Sequence, residues 1–183
     1  MNPSQHPPVE EAAAAPSGDA APAPAASGPS RRAGRRDKPE RGTRTGFSTG
    51  ACSAAAARAC ALGLVHGQVP ESVESLLANG QRVSFAIHDG RIEGEGLARV
   101  AHGYVQKFAG DDPDCTDGAH LTVDLRILPG QAGQVQFRAG PGVGTVTLPG
   151  LGLEIGGPAI NPVPRANITQ NLQEVAGPLL AEH

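Results

Sequence analysis

Residues 110–120 read GDDPDCTDGAH and are the densest group of reactive side chains in the sequence. Within this stretch stand four carboxylates, one thiol and one imidazole: Asp111, Asp112, Asp114, Cys115, Asp117 and His120. Crowded carboxylates raise one another's pKa, and a carboxylate with a raised pKa can act as a general base near neutral pH. Asp and Pro are also common turn residues. The stretch therefore fits either a polar turn or a set of catalytic or substrate-contacting carboxylates.

The spacing of the same residues argues against a metal site. A calcium-binding EF-hand loop needs alternating acidic residues, then a glycine and a later glutamate. This stretch reads D-D-P-D-C-T-D-G and lacks that glutamate. A zinc site needs pairs of Cys and His at defined spacing, and one Cys with one His does not provide them. We therefore predict no metal ligands here.

A helix rich in small residues is the clearest element that could position this group. It is predicted between Thr45 and Gly67, where Ser48 or Thr49 can cap its start and Gly67 can end it. Its small side chains require close packing against a neighbour or a large ligand. The N–H groups at its start favour an anion such as a carboxylate. An ordinary capped core helix is the alternative.

The rest of the folded region alternates between strand and turn signals. Asn79-Gly80 predicts a hairpin within residues 73–87. Further strands are predicted over Ile92–Val100, Tyr104–Phe108, His120–Leu128 and Gly133–Arg138. The glycine-rich run 140–158 looks extended and is a weak match to a dinucleotide-binding loop. These signals predict an α+β fold, a mixed β-sheet with the Ala-rich helix packed on it.

A final helix is predicted after Asn161. Pro164 suits its first position, and Ile168, Leu172 and Val175 share one face. We expect it to stop near Gly177-Pro178.

The N-terminal region has a different composition. Residues 1–42 are rich in Ala and Pro and then in basic residues, which predicts a disordered tail before a domain at 43–183. The basic run 31–44 could bind nucleic acid through its positive charge. It contains no aromatic residues to stack on bases, so the interpretation as a solvated tail is favoured. The tail lacks the apolar region of a signal peptide. No apolar run approaches the roughly 18 residues of a membrane span, and three cysteines without a secretory signal suit a reducing cytoplasm.

Four segments in order resemble one family. They are RTGFSTGACSAAAA (44–57), VQKFAGDDPDCTDGAHLTVDL (105–125), GPGVGTVTLPGLGLEIGGPAINPVPR (140–165) and the helix that follows. Together they are similar to the first half of CbiD, the cobalt-precorrin-5B C1-methyltransferase family of cobalamin synthesis. The resemblance covers roughly residues 42–176.

The resemblance implies a cytoplasmic enzyme that uses S-adenosylmethionine to methylate ring carbon C1 of a cobalt-containing tetrapyrrole. Cobalt enters only as part of that substrate. A base for a departing ring proton would be Asp111, Asp112 or Asp114. The carboxylate arms and flat ring of the substrate would be bound by residues of the three matching segments: Arg44, Thr45, Gly46, Ser48, Thr49, Gly50, Thr116, Gly140, Gly142, Gly144, Asn161 and Arg165.

Family members continue into a second half after the final helix. We expect this chain to lack that half, which leaves two interpretations. The chain is either a short methyltransferase, or a non-catalytic or split-half corrinoid-binding module that needs a partner chain or a second copy. We expect the isolated domain to associate with itself through the apolar surface left uncovered.

Overall fold

The computed structural model describes residues 44–111, 113–131, 133–150 and 152–182, and the side chains of residues 178–182 are not considered. The predicted disordered tail at residues 1–42 lies outside these ranges. Within them, no helix combines the length and the apolar character that a membrane crossing requires.

The first helix, α1 (Thr49–His66), is confirmed with both of its predicted ends. Ser48 is the N-cap, and its hydroxyl oxygen accepts a hydrogen bond from the N–H of Ala51 at 3.1 Å. Gly67 ends the helix in the left-handed conformation, with φ of 85°, and donates to the carbonyl of Gly63 at 2.8 Å. The helix is therefore fixed by local sequence at each end.

Small side chains let α1 sit in the centre of the domain. Ala55, Ala56, Ala59 and Cys60 are fully buried in the cluster that joins α1 to the strands. On another face, a second cluster joins α1 to the last helix through Ala54, Ala57, Ala61, Ile168, Leu172 and Ala176. The predicted packing of the Ala-rich helix on a sheet is confirmed, and the helix has a second helix as a further neighbour.

In the described part of the chain, five strands form two antiparallel sheets rather than one mixed sheet, within the confirmed α+β class. Strands β1 (Ser72–Leu76) and β2 (Arg82–Ala86) form the predicted hairpin. At its turn Asn79 Oδ1 accepts a hydrogen bond from the N–H of Gln81 at 3.1 Å. Strands β3 (His88–Glu93), β4 (Val100–Gln106) and β5 (His120–Arg126) form the second sheet in the order β3-β4-β5.

Two strand predictions are wrong. Residues 92–100 are not one strand, because β3 ends at Glu93 and a short 3₁₀ turn, Gly96–Ala98, precedes β4. Gly94 and Gly96 have φ of 80° and 54°, which an extended strand does not allow. Residues 133–138 contain no strand.

The last helix, α2 (Pro162–Glu182), begins two residues before Pro164 and continues beyond the predicted stop. The carbonyl of Asn161 accepts a hydrogen bond from the N–H of Arg165 at 3.1 Å, which closes the first turn. The prediction that the helix stops near Gly177-Pro178 is wrong. A proline removes one backbone donor and disfavours a helix interior, but it does not forbid continuation.

Candidate functional site

The starts of both helices face one cleft of about 510 Å³. Its walls come from three parts of the chain. They are residues 45–48, 50 and 51 at the start of α1, residues 77–79, 81 and 83 around the β1–β2 turn, and residues 163, 164 and 167 at the start of α2. Gly50 and Pro164 are in contact across it, since a Cβ on Gly50 would lie 3.1 Å from Pro164 Cγ. The positive ends of two helix dipoles therefore converge on one concave surface.

The acidic loop is tied to the start of α1 by a close crossing of two backbones. Thr45 forms an antiparallel bridge with Gly110, and the N–H of Phe47 donates to the carbonyl of Phe108 at 2.8 Å. A Cβ on Gly46 would lie 2.0 Å from the carbonyl carbon of Ala109. A Cβ on Gly110 would lie 2.3 Å from the carbonyl oxygen of Arg44. Both glycines are required because the two segments leave no room for side chains.

The side chains of Arg44 and Asp111 also bond to each other where the two backbones cross. Arg44 Nε lies 2.9 Å and Nη2 lies 2.8 Å from Asp111 Oδ1, and the backbone N–H of Arg44 donates to Oδ2 at 2.9 Å. The guanidinium also stands 5.7 Å from the ring centre of Phe108. The structure thus brings Arg44 together with one of the predicted carboxylates, and Arg44 directly precedes Thr45, which lines the cleft.

Asp114 is held by a buried lysine. Lys107 Nζ donates to Asp114 Oδ2 at 2.6 Å, and Thr116 donates to Oδ1 through its N–H at 2.7 Å and its hydroxyl at 2.6 Å. These bonds, led by the one from Lys107, hold the pKa of Asp114 well below its usual value. The expectation that crowding raises the pKa of this carboxyl is wrong, because a cation and two donors outweigh the neighbouring acids.

The two remaining acids of the loop are Asp112 and Asp117. Asp117 Oδ1 accepts a hydrogen bond from the N–H of Ala109 at 2.8 Å, which stabilises the loop on the β4 side. Asp112 lies outside the described residues. Among the described residues no group of three or more His, Cys, Asp or Glu side chains is placed to hold a metal ion.

Two buried asparagines fasten α2 to the free edge of β1. Asn171 is fully buried, and its Oδ1 accepts from Ser75 Oγ and from the N–H of Leu76, each at 3.0 Å. Its Nδ2 donates to the carbonyl of Leu76 at 2.9 Å, and Asn167 Nδ2 donates to the same carbonyl at 2.8 Å. These bonds satisfy an otherwise open strand edge and fix the wall of the cleft that α2 supplies.

Arg165 and the glycine-rich run lie apart from the lining of the cleft. Arg165 Nε donates to the carbonyl of Ile160 at 2.8 Å and Nη2 to that of Pro158 at 2.9 Å, while its guanidinium faces the Phe137 ring. The run folds back on itself through a bridge between Thr145 and Pro158. The lining of the cleft includes none of the predicted residues Thr116, Gly140, Gly142, Gly144, Asn161 and Arg165.

The sequence model of the CbiD family matches residues 36–179. The chain belongs to the CbiD family. It is 61% identical over 152 residues to a cobalt-precorrin-5B C(1)-methyltransferase of Polaromonas sp. strain JS666, a match that covers 81% of this chain and 40% of the relative. It is 63% identical over 142 residues to the enzyme of the same name from Polaromonas naphthalenivorans, covering 78% of this chain and 38% of the relative.

A relative from Methylococcus capsulatus with the same name is 61% identical over 144 residues, covering 79% of this chain and 37% of the relative. The chain therefore spans about two fifths of the length of these curated CbiD relatives. No solved structure matches this CbiD-family chain.

Sequence reasoning missed three residues of this CbiD site. Lys107 follows strand β4 and looked like an ordinary strand residue, although only 3% of it is exposed. Asn167 and Asn171 are 5% and 0% exposed. Their spacing of one helical turn beside Ile168 and Leu172 was a signal for them, because polar residues on the apolar face of a helix need buried partners.

Proposed function

We propose that this chain provides the N-terminal part of the site of an S-adenosylmethionine-dependent C-methyltransferase, which acts on ring carbon C1 of cobalt-precorrin-5B. The observation that carries the proposal is the meeting of the RTGFSTG start of α1 with the GDDPDCTDG loop through Gly46 and Gly110. These are two of the four segments that resemble the family, and they lie far apart in the sequence. Curated relatives at 61% and 63% identity bear the name of this activity.

The chemistry of the cleft suits ligands that carry carboxylates. Among the described residues nothing accepts a hydrogen bond from the N–H groups of Thr49 and Gly50. Donors of this kind at a helix start attract anions, and the second helix start adds to the attraction. The tetrapyrrole arms and the amino-acid end of the methyl donor both bear carboxylates. The substrate role of Thr45, Gly46, Ser48, Thr49 and Gly50 is therefore kept in this proposal.

S-adenosylmethionine, when bound, supplies the methyl group as an electrophilic carbon on a sulfonium sulfur. The breaking bond leaves its electron pair on sulfur, and the ring supplies the pair for the new bond at C1. The contribution of this chain is to position the partners and to exclude water. Four bonds connect Arg44 with Asp111 through side chains and backbone, which supports a positioning role for this part of the loop.

A base for a departing ring proton belongs to the same proposal, and the structure describes the contacts of two of the three candidates, Asp114 and Asp111. Asp114 is a weak base because its pKa is held low. Asp111 is already bound to the guanidinium and to the backbone N–H of Arg44. Asp112 is therefore the first to test. We also propose that the protein is cytoplasmic and that cobalt enters only with the substrate. Substrate-binding roles are proposed for six further residues: Thr116, Gly140, Gly142, Gly144, Asn161 and Arg165.

The test is a methyl-transfer assay with cobalt-precorrin-5B and labelled S-adenosylmethionine. The chain is assayed alone and together with the C-terminal three fifths of a curated relative. Product in either assay supports the proposal, and product only in the second shows that activity requires the C-terminal part as well. Asp112→Asn should slow turnover while the tetrapyrrole still binds, and Asp117→Asn, which keeps its acceptor oxygen, is the matched control. Absence of product in both assays would contradict the proposal.

A further inference from the structure

Lys107 closes the base of the acidic loop with its backbone. Its N–H donates to the carbonyl of Ala119, and its carbonyl accepts from the N–H of Gly118, each at 2.8 Å. The pairing of β4 with β5 ends at Gln106 and His120, so these bonds continue it by one step. Residues 108–117 remain as the connection, and one residue therefore fixes where the loop leaves the sheet.

The side chain of Lys107 holds the middle of the same loop. Nζ donates to Asp114 Oδ2 at 2.6 Å, and only 2% of the lysine side chain is exposed. Burial raises the pKa of Cys52, and the charge of Lys107 opposes that rise. The ammonium group is therefore close enough to α1 to act on it, and it links the loop with that helix.

The described carboxylates of the loop are engaged by the chain itself. Each accepts hydrogen bonds from a different part of it: Asp111 from Arg44, Asp114 from Lys107, and Asp117 from Ala109. Bonds of this kind fix the course of the loop. A carboxylate that gave up its bond in order to take a proton would release the segment that it holds.

The burial of Lys107 makes this anchor directional. A buried ion pair contributes little net stability, because removing two charges from water offsets much of their attraction. Loss of one partner is nevertheless costly, since the other is left as an unpaired buried charge. The loop therefore cannot move away from Lys107 without leaving the ammonium group unpaired, and the pair defines one position for the loop.

We propose that Lys107 is a positioning residue of the methyl-transfer site, which acts through Asp114 to fix the acidic loop beside the start of α1. The inference rests on the proposed function for the reaction itself. It makes Asp114 a positioning residue as well, rather than the base. The ammonium group has no need to touch the substrate, because its effect is on the place of the loop.

Steady-state kinetics test the proposal in whichever of the two methyl-transfer assays gives product. Lys107→Met should lower kcat about tenfold or more, because small misplacements at a reacting centre are costly. The KM for the tetrapyrrole should change less than about threefold, since the Asp114 carboxylate faces Lys107 rather than the substrate. An unchanged kcat in this variant would overturn the proposal.

A double-mutant cycle separates positioning from catalysis. Asp114→Asn should also lower kcat, and the double variant should lose no more than about twofold beyond the larger single loss, because both changes break the same bond. The pH profile of kcat/KM should keep its shape in every variant. Additive losses, with a pH profile altered only by Asp114→Asn, would identify Asp114 as the base and overturn the proposal.

Hydrogen exchange follows the loop without turnover. Lys107→Met should make the amides of residues 108–118 exchange about tenfold faster, while those of α2 keep their rates. Unchanged exchange in the loop, or faster exchange throughout the chain, would overturn the positioning role. Lys107→Gln, which keeps a donor without the charge, replaces the methionine variant if that one unfolds. Glu93→Gln, which breaks an exposed ion pair with Arg91, is the control and should change none of these quantities.

Two negative results have different meanings. Absence of product from the unaltered protein in both assays would overturn the proposed function, and with it the reaction that Lys107 is proposed to serve. Product formed at a rate that does not depend on Lys107 would overturn the positioning role alone and leave the proposed function in place.

Discussion

Lys107 Nζ lies 2.6 Å from Asp114 Oδ2, with only 2% of the lysine side chain exposed. A cation so deeply buried is tolerated only when an anion accompanies it. The carboxylate is thereby held at the surface end of the pair, where 38% of its side chain is exposed. This ion pair links the acidic loop to the protein interior, beside the bonds of Asp111 with Arg44 and of Asp117 with Ala109.

The first prediction concerns the titration of Asp114. Lys107→Met should raise the pKa of Asp114 towards the ordinary value of about 3.9, because the main cause of its depression is removed. A depressed pKa stabilises the folded chain above the unfolded value, and this contribution is lost as pH falls through the folded value. Carboxyl carbon NMR titration measures the shift, with Lys107→Arg as the charge-retaining control. Equal pKa values in the methionine variant and the unaltered chain would contradict the assignment.

The second prediction concerns the backbone crossing at Gly46. Gly46→Ala should destabilise the chain by more than about 2 kcal/mol, because its methyl group would overlap the backbone of Ala109. Gly140→Ala is the matched control, since nothing lies within 4 Å of a Cβ built there. The control should change stability by less than about 0.5 kcal/mol. Urea unfolding followed by circular dichroism compares Gly46→Ala with Gly140→Ala. Similar midpoints for the two variants would contradict the close approach of Gly46 to the backbone of Ala109.

The third prediction separates the two asparagines of α2. Asn171→Leu should destabilise the chain by about 2–4 kcal/mol, because it removes the partner of the Ser75 hydroxyl and of the Leu76 N–H and leaves the Leu76 carbonyl with Asn167 alone. Asn167→Leu should cost less, because Asn171 still binds Leu76. Thermal unfolding of both variants measures the difference. The reverse order of stability would mean that Asn167 is the principal anchor.

The fourth prediction concerns the three thiols. Burial raises the pKa of Cys60 to about 12 and also raises that of Cys52, whereas Cys115 is exposed on the acidic loop. N-ethylmaleimide near neutral pH should therefore modify Cys115 in the folded chain and the other two only after unfolding. Mass spectrometry counts the adducts, and Cys115→Ser should abolish the fast reaction. Rapid modification of Cys60 in the folded chain would contradict its placement in the core.

Local features could be predicted from the sequence because local chemistry determines them. Ser48 and Gly67 fix the ends of α1, and Asn79-Gly80 fixes the first hairpin, through contacts within a few residues. The break between β3 and β4 was missed, since strand propensity in that stretch looked continuous and the positive φ of Gly94 and Gly96 was not considered.

The site was less predictable because it depends on distant contacts. That the acidic loop approaches the start of α1 could be suspected from the family resemblance, but residue spacing alone did not indicate it. The low pKa of Asp114 depends on Lys107, whose burial follows from the packing of the whole domain. Arg165 was predicted to bind the substrate, and in the structure its guanidinium donates to the carbonyls of Ile160 and Pro158. Spacing in the sequence does not indicate these two bonds.

The pairing of Arg44 with Asp111 spans 67 positions, and this separation has a consequence for synthesis of the chain on the ribosome. The start of α1 is translated early, yet it cannot acquire its antiparallel neighbour until residue 111 has emerged. The wall supplied by α2 arrives later still, after residue 162. A nascent chain therefore carries an unfinished helix start until residue 111 has emerged, and the cleft is complete only after the start of α2 has followed.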